Sequence, residues 1–169
     1  VELAVAGTVF ESMAASADDT LVLGGIDGPT VSVRRISRDF FRTLGFRPSA
    51  GRAFTSEDWR QGAGRVAMVR ESLARRVPGI AVGRVVRLGS DDLTIVGVVP
   101  DRCWFPTVGG PDVWLPLEAT AGDAPRARTV TVTARVRTEA DLDLARSQVE
   151  AIGRRLVRDP ADARARRLP

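Results

Sequence analysis

The 169-residue chain carries 25 basic residues, all of them arginine, against 21 acidic ones, with 44% hydrophobic residues, one cysteine, and no histidine, lysine, tyrosine or asparagine. The missing histidine and lysine remove the Ser-His-Asp and Cys-His relays, the phosphate-binding P-loop and the Schiff-base amine, and a lone thiol closes no internal disulfide. The net charge of +4 is carried by the stretch from Arg154 to Pro169; the preceding body is neutral, which argues against a broad nucleic-acid-binding face.

In chain order, Leu3–Ala15 has helix-compatible apolar spacing at Val5, Val9 and Met13, and Asp18-Asp19 ends it. Thr20–Gly25 and Thr30–Ile36 read as a hairpin around the turn residues Asp27-Gly28-Pro29. Ser37 is placed to cap a short helix over Arg38–Leu44, with Phe40, Phe41 and Leu44 as its buried stripe and Gly45 as its stop. Pro48–Arg60 has turn residues and no period, so it reads as an ordered loop crossing between two lobes, with Thr55 or Ser56 capping a turn through Glu57-Asp58-Trp59.

Val66–Val69 reads as a short buried strand, and Glu71–Val77 as a helical segment stopped by Pro78-Gly79. Arg84–Leu88 and Leu93–Val99 form a second hairpin over Gly89–Asp92. The β-branched run of Thr94–Val99 is largely buried and stops at Pro100, while Gly97 predicts a bulge or a close backbone approach. Beyond it, Phe105-Pro106, Gly109-Gly110-Pro111 and Trp114–Leu117 make an aromatic and aliphatic plug whose prolines exclude helix. Trp104 and Trp114 read as packing residues, and Cys103 as a buried inert thiol.

Glu118–Pro125 is a second crossing. Arg128–Arg137 alternates strictly, predicting a strand with Val130, Val132, Ala134 and Val136 on a core face. Thr138 caps a last helix whose Leu142, Ala145, Val149, Ile152 and Leu156 recur at 3-4-3-4 spacing and pack on that strand's sheet or on a partner helix. Pro160 ends it, and Ala161–Pro169 reads as linker. The fold class is α+β, with mixed or antiparallel sheets, helices packed on one face, and a second lobe inserted into the first: residues 1–47 with 126–158, then 48–125, then a basic linker over 159–169.

The carboxylate pairs Glu57-Asp58 and Asp91-Asp92 read as solvated turn residues, with acid/base or hard-cation chemistry as the sharper option. Gly62-Ala63-Gly64 precedes a strand where a dinucleotide loop must follow one, so it is set aside. No catalytic, cofactor or metal residue is assigned. The longest uncharged run, Cys103–Pro111, is nine residues, against the ~20 needed to span a bilayer. With no signal-peptide pattern at Val1, the chain reads as a fragment of something longer.

FFRTLGFRPSAGRAFTSEDW (Phe40–Trp59), VAMV (Val66–Val69), TIVGVVP (Thr94–Pro100) with Phe105-Pro106, and DVWLPL (Asp112–Leu117), preceded by TVFESMAA (Thr8–Ala15), follow one another in an order that resembles the MacB-like periplasmic core domain of MacB/FtsX-type ABC transporter permeases. The signature positions are Phe41, Gly45, Pro48, Gly51, Arg52, Phe54, Gly97, Val98, Pro100, Trp114 and Pro116. Arg70–Gly83 departs from the family pattern, being shortened and without an aromatic residue. The resemblance implies a non-enzymatic domain outside the bacterial cell membrane. Its partners would be its own transmembrane helices, a cytoplasmic ATP-binding domain and a possible second permease copy, but not nucleic acid. The competing reading is a ligand- or peptide-binding sensor with a pocket lined by Trp59, Trp104, Phe105 and Trp114.

Overall fold

In the computed structural model, residues 9–25, 27–60, 65–103, 109–117 and 129–158 are described, with side chains of the final helix through Ala151. The chain divides into two compact units, residues 1–13 with 134–169, and residues 14–133. Among the described residues, eight strands form one mixed sheet: β1 (Phe10–Val22), β2 (Thr30–Ile36), β3 (Ala50–Gly51), β4 (Val66–Arg70), β5 (Val85–Leu88), β6 (Asp91–Val99), β7 (Val113–Pro116) and β8 (Val130–Val136). Their order is β3-β6-β4-β7-β2-β1-β8, with β5 also paired to β6.

Period-2 alternation in β2, β4 and β7 sends successive side chains into two separate cores. Val31, Val33, Ala67, Val69, Val113 and Leu115 fill one, together with Leu73 of α2 (Glu71–Arg76). Ile36, Val66, Met68 and Trp114 fill the other, together with Phe40 and Phe41 of α1 (Phe40–Leu44). The expectation of helices on one face therefore gives way to a helix on each. Covering both faces requires apolar residues at odd and even positions alike, as in the fully buried VAMV run. β2 and α1, expected in the membrane-proximal lobe, share this sheet and its cores with β3 to β7, expected in the inserted lobe.

Three local expectations change. Phe10–Ala15 is strand, not helix; Leu3–Thr8 lies outside the described residues. Phe10, Ser12, Ala14 and Ser16 are buried at every second position, and pairing with β2 runs from Ser16↔Ile36 to Val22↔Thr30. Alanine favours helix by only a few tenths of a kcal/mol per residue, less than a paired, covered strand supplies. Val113–Pro116 is a strand inside the sheet and not an irregular plug. It pairs with β4 only through Val113 and Trp114, so Pro116, which lacks an N–H, falls beyond that ladder. Ser37 does not cap α1: its hydroxyl accepts the Ala15 N–H at 2.9 Å, and Asp39 occupies the cap position without a side-chain bond to the helix's backbone N–H groups.

The β5–β6 hairpin forms as expected, with Leu88↔Asp91 closing on Gly89-Ser90. Thr138 makes a capping box with Asp141 ahead of α3 (Leu142–Arg158). The expected core face of β8 is open, with Val130 and Val132 at 52% and 50% exposure. On α3, Ala145 is buried but Leu142 and Val149 are exposed. Alternation and heptad spacing show that a face is apolar; they do not show what covers it, and β8 is the last strand of the sheet. Ile152 and Leu156 lie outside the described side chains, as do Glu118–Pro125 and Ala161–Pro169. Among the described residues no helix is long and apolar enough to cross a membrane.

Candidate functional site

Four of the signature positions, Gly51, Arg52, Gly97 and Val98, meet at an irregularity in β6. β4 and β6 run parallel in register through Ala67↔Ile95, then resume at Met68↔Gly97, leaving Val96 as the extra residue. This bulge reverses the side-chain parity, so Val98 joins the core that holds Val69, while Val99 joins the one that holds Met68. Gly97 also faces Gly51 across the β3–β6 pair. A Cβ on Gly97 would stand 2.3 Å from the Arg52 carbonyl oxygen, and one on Gly51 2.3 Å from that of Val96. Bulge and close approach, alternatives in the sequence, are both realised.

That approach fastens the segment after α1. Ser49 N–H donates to Val98 and Arg52 N–H to Val96, each at 2.8 Å. Gly45 closes α1 in the left-handed region at φ 72°, with its N–H on the Arg42 carbonyl and the Phe46 N–H on that of Phe41. Arg52 then forms a two-pronged ion pair with Asp58, at 2.7 and 3.2 Å. Thr55 donates to the same carboxylate from its N–H at 2.6 Å and its hydroxyl at 3.1 Å, capping the 3-10 turn Ser56–Trp59. Burial pushes the Asp58 carboxyl up, but the bonds from Arg52 and Thr55 outweigh it and hold it below the ordinary carboxylate value. Trp59 Nε1–H donates to the Ile36 carbonyl at 3.2 Å, tying the turn to the end of β2.

Between α1 and this turn lies an open groove of about 440 Å³. Phe41, Phe46, Phe54 and Trp59 contribute its aromatic surface, and Arg38, Arg42 and Arg47 its charge. Phe54 and Trp59 meet edge to face at 5.5 Å, and the Arg38 guanidinium stands 6.0 Å over the Trp59 ring. Of the signature positions, Phe41, Gly45, Pro48 and Phe54 line the groove, whereas Trp114, Pro100 and Pro116 are buried in the body. The pocket expected from Trp59, Trp104, Phe105 and Trp114 is not the one found: Trp114 is 1% exposed and packs on Phe41 at 6.3 Å between ring centroids. Trp104 and Phe105-Pro106 lie outside the described residues, as does Gly62-Ala63-Gly64.

The candidate acids are spent on arginines. Asp58 is bound as above, and Glu57 is exposed beside Arg60. Asp91 pairs with Arg65, and Asp92 takes a two-pronged contact from Arg87, whose hydrogen bonds lower its pKa. Among the described residues, no three His, Cys, Asp or Glu side chains converge on a metal-sized point. Cys103 is buried, which pushes its thiol up to about 11, far from a reactive thiolate at neutral pH.

The profile of the MacB-like periplasmic core domain family matches residues 1–152. The chain belongs to that family. It is thus the periplasmic or extracellular domain of a MacB-like ABC transporter permease. Its fold is similar to the periplasmic region of MacB from Actinobacillus actinomycetemcomitans (TM-score 0.69, 15% identity, covering 90% of this chain and 70% of that one). The extracellular domain of the ABC-type transporter YknZ from Gram-positive bacteria is similar as well (0.64, 14%, covering 82% and 72%). So is a domain of a putative permease from Porphyromonas gingivalis (0.57, 18%, covering 80% and 61%). No curated protein matches the chain in sequence.

Two features of this periplasmic core domain escaped the sequence reading. Arg34 is buried at 2% exposure on the same face as Trp114, and it is held by Asp18 of β1 through bonds of 2.6 and 3.1 Å. Asp18 sits opposite Arg34 in the β1–β2 register. Recognising β1 as a strand was the missing step. Asp101 accepts the Ser72 N–H at 2.9 Å and Arg75 at 2.6 Å, so α2 is capped from a residue 29 positions later.

Proposed function

We propose that this permease domain is a non-catalytic mechanical coupler. ATP is hydrolysed in a cytoplasmic domain or subunit, the membrane helices that flank the domain move, and that motion drives the export or release of a substrate outside the membrane. The observation that carries the reading is the division of the chain: both terminal segments, residues 1–13 and 134–169, fall in one compact unit, and the 120-residue stretch 14–133 forms another. A body divided in this way can turn displacement of its anchored unit into movement of the other. The larger unit is suited to move as a block, since its sheet is covered on both faces by packed cores. The acids paired to arginines and the high-pKa thiol favour a transmitting role over chemistry of its own.

The test is a distance measurement in the full-length permease with its ATP-binding partner. Exposed Thr20 and Ser147, one in each unit, are replaced by cysteine and spin-labelled; the buried Cys103 stays unlabelled. The distance distribution should shift between the ATP-bound and post-hydrolysis states. Identical distributions in a permease that hydrolyses ATP would end this reading.

A further inference from the structure

We propose that the groove beside α1 binds a small amphiphilic organic anion: an acid group attached to an aromatic or apolar body. Its walls offer two kinds of contact at once. Phe41, Phe54 and Trp59 present ring surface, and the Trp59 indole is held by the bond from its Nε1–H to Ile36. In the same lining, Arg38 and Arg47 make no ion pair among the described residues. The nearby acids are already occupied: Asp39 pairs with Arg42 at 3.1 Å, Asp58 with Arg52 at 2.7 Å and Glu57 with Arg60 at 3.8 Å. Two cations without a carboxylate among the described residues therefore share the groove's lining with its rings, and one of them, Arg38, stands 6.0 Å over the Trp59 ring.

Each simpler occupant leaves part of this arrangement unused. A neutral apolar molecule would not engage the guanidinium groups, and an inorganic anion would not cover the rings. An organic anion engages both, and a groove of about 440 Å³ lies within the ~300–1,000 Å³ of ordinary small-molecule sites. Arginine suits the task, since its planar group binds carboxylates, sulfonates and phosphates and also stacks on rings. The site lies wholly within residues 38–59. It is independent of the coupling reading, so either can fail without the other.

The probe is 8-anilinonaphthalene-1-sulfonate, titrated into this chain by dye emission and calorimetry. N-phenyl-1-naphthylamine, the same rings without the sulfonate, serves as the neutral comparison. The expected result is saturable one-site binding, about tenfold tighter than that of the neutral analogue and weakened by salt. The double variant R38A/R47A, both positions being exposed, should bind the dye about fivefold to tenfold more weakly. R84A, at an exposed arginine that does not line the groove, should stay within about twofold of the unmodified chain. Equal affinity for dye and neutral analogue, or unchanged dye binding in R38A/R47A, overturns the proposal. So does dye uptake that rises only as the near-ultraviolet circular dichroism is lost, because the dye would then report a loosened core.

Discussion

Replacing Gly97 with alanine tests the close approach of β3 to β6. Gly97 has no unusual φ, so alanine suits the backbone and any penalty must come from its surroundings. There the new methyl would meet the Arg52 carbonyl oxygen at 2.3 Å and Met68 Cε at 3.0 Å. Met68 can turn aside, but the Arg52 carbonyl belongs to backbone fastened by the Arg52 N–H bond to Val96 and the Ser49 N–H bond to Val98. Forced overpacking costs ~1–3 kcal/mol, and loosening two hydrogen bonds adds ~0.5–1.5 kcal/mol each, so G97A should destabilise by about 2–6 kcal/mol. For a chain of this size that lowers the Tm by roughly 4–24 °C. Gly79 is the control: its φ of 89° strains a side chain, but nothing lies within 4 Å, so G79A should cost only ~1–2 kcal/mol. Urea unfolding followed by tryptophan fluorescence measures both. A G97A penalty no larger than that of G79A would refute the close approach. The pair G51A/G97A should lose less than the sum of the two single variants, because one separation of β3 from β6 relieves both clashes.

Asp58 links stability to pH. Its folded-state pKa lies below the unfolded value, so its contribution is complete above the ordinary carboxylate range near ~4 and is lost as the pH falls through the folded value. D58N should cost about 1–3 kcal/mol at neutral pH and flatten the acid limb of the stability curve; an acid limb unchanged in D58N contradicts the assignment. Cys103, buried and raised to about 11, should react with a thiol reagent at pH 8 only as fast as the domain opens. Labelling in the native state at the rate of a free thiol would show that the site is accessible.

Legibility followed how local each signal was. β2, β4 and the β5–β6 hairpin were readable because β-branched residues and bounding turns lie within each segment, and Gly97 marked the bulge because a glycine interrupts a strand for few other reasons. The Thr55 and Thr138 caps involve residues three positions apart. β1 misled because Ala14, Ala15 and Ala17 suit either structure, and its pairing with β2 decided between them. β7 was hidden by Pro111 and Pro116. The two ring systems expected to share a pocket were separated because Trp114 lies on an inner strand, whereas Trp59 is held at the margin by its bond to Ile36.

From the amino acids alone followed the α+β class, the lack of histidine and lysine chemistry, and the ordered signatures of an extracytoplasmic permease domain, since all of these are written in composition and short-range pattern. Tertiary structure alone decided that one sheet has a core on each face, that Gly51 and Gly97 meet, and that Arg38 and Arg47 have no carboxylate partner among the described residues while Arg42 and Arg52 are paired. Those outcomes depend on residues tens of positions apart coming within a few ångströms, and a spacing rule that sees only neighbours along the chain has no access to them.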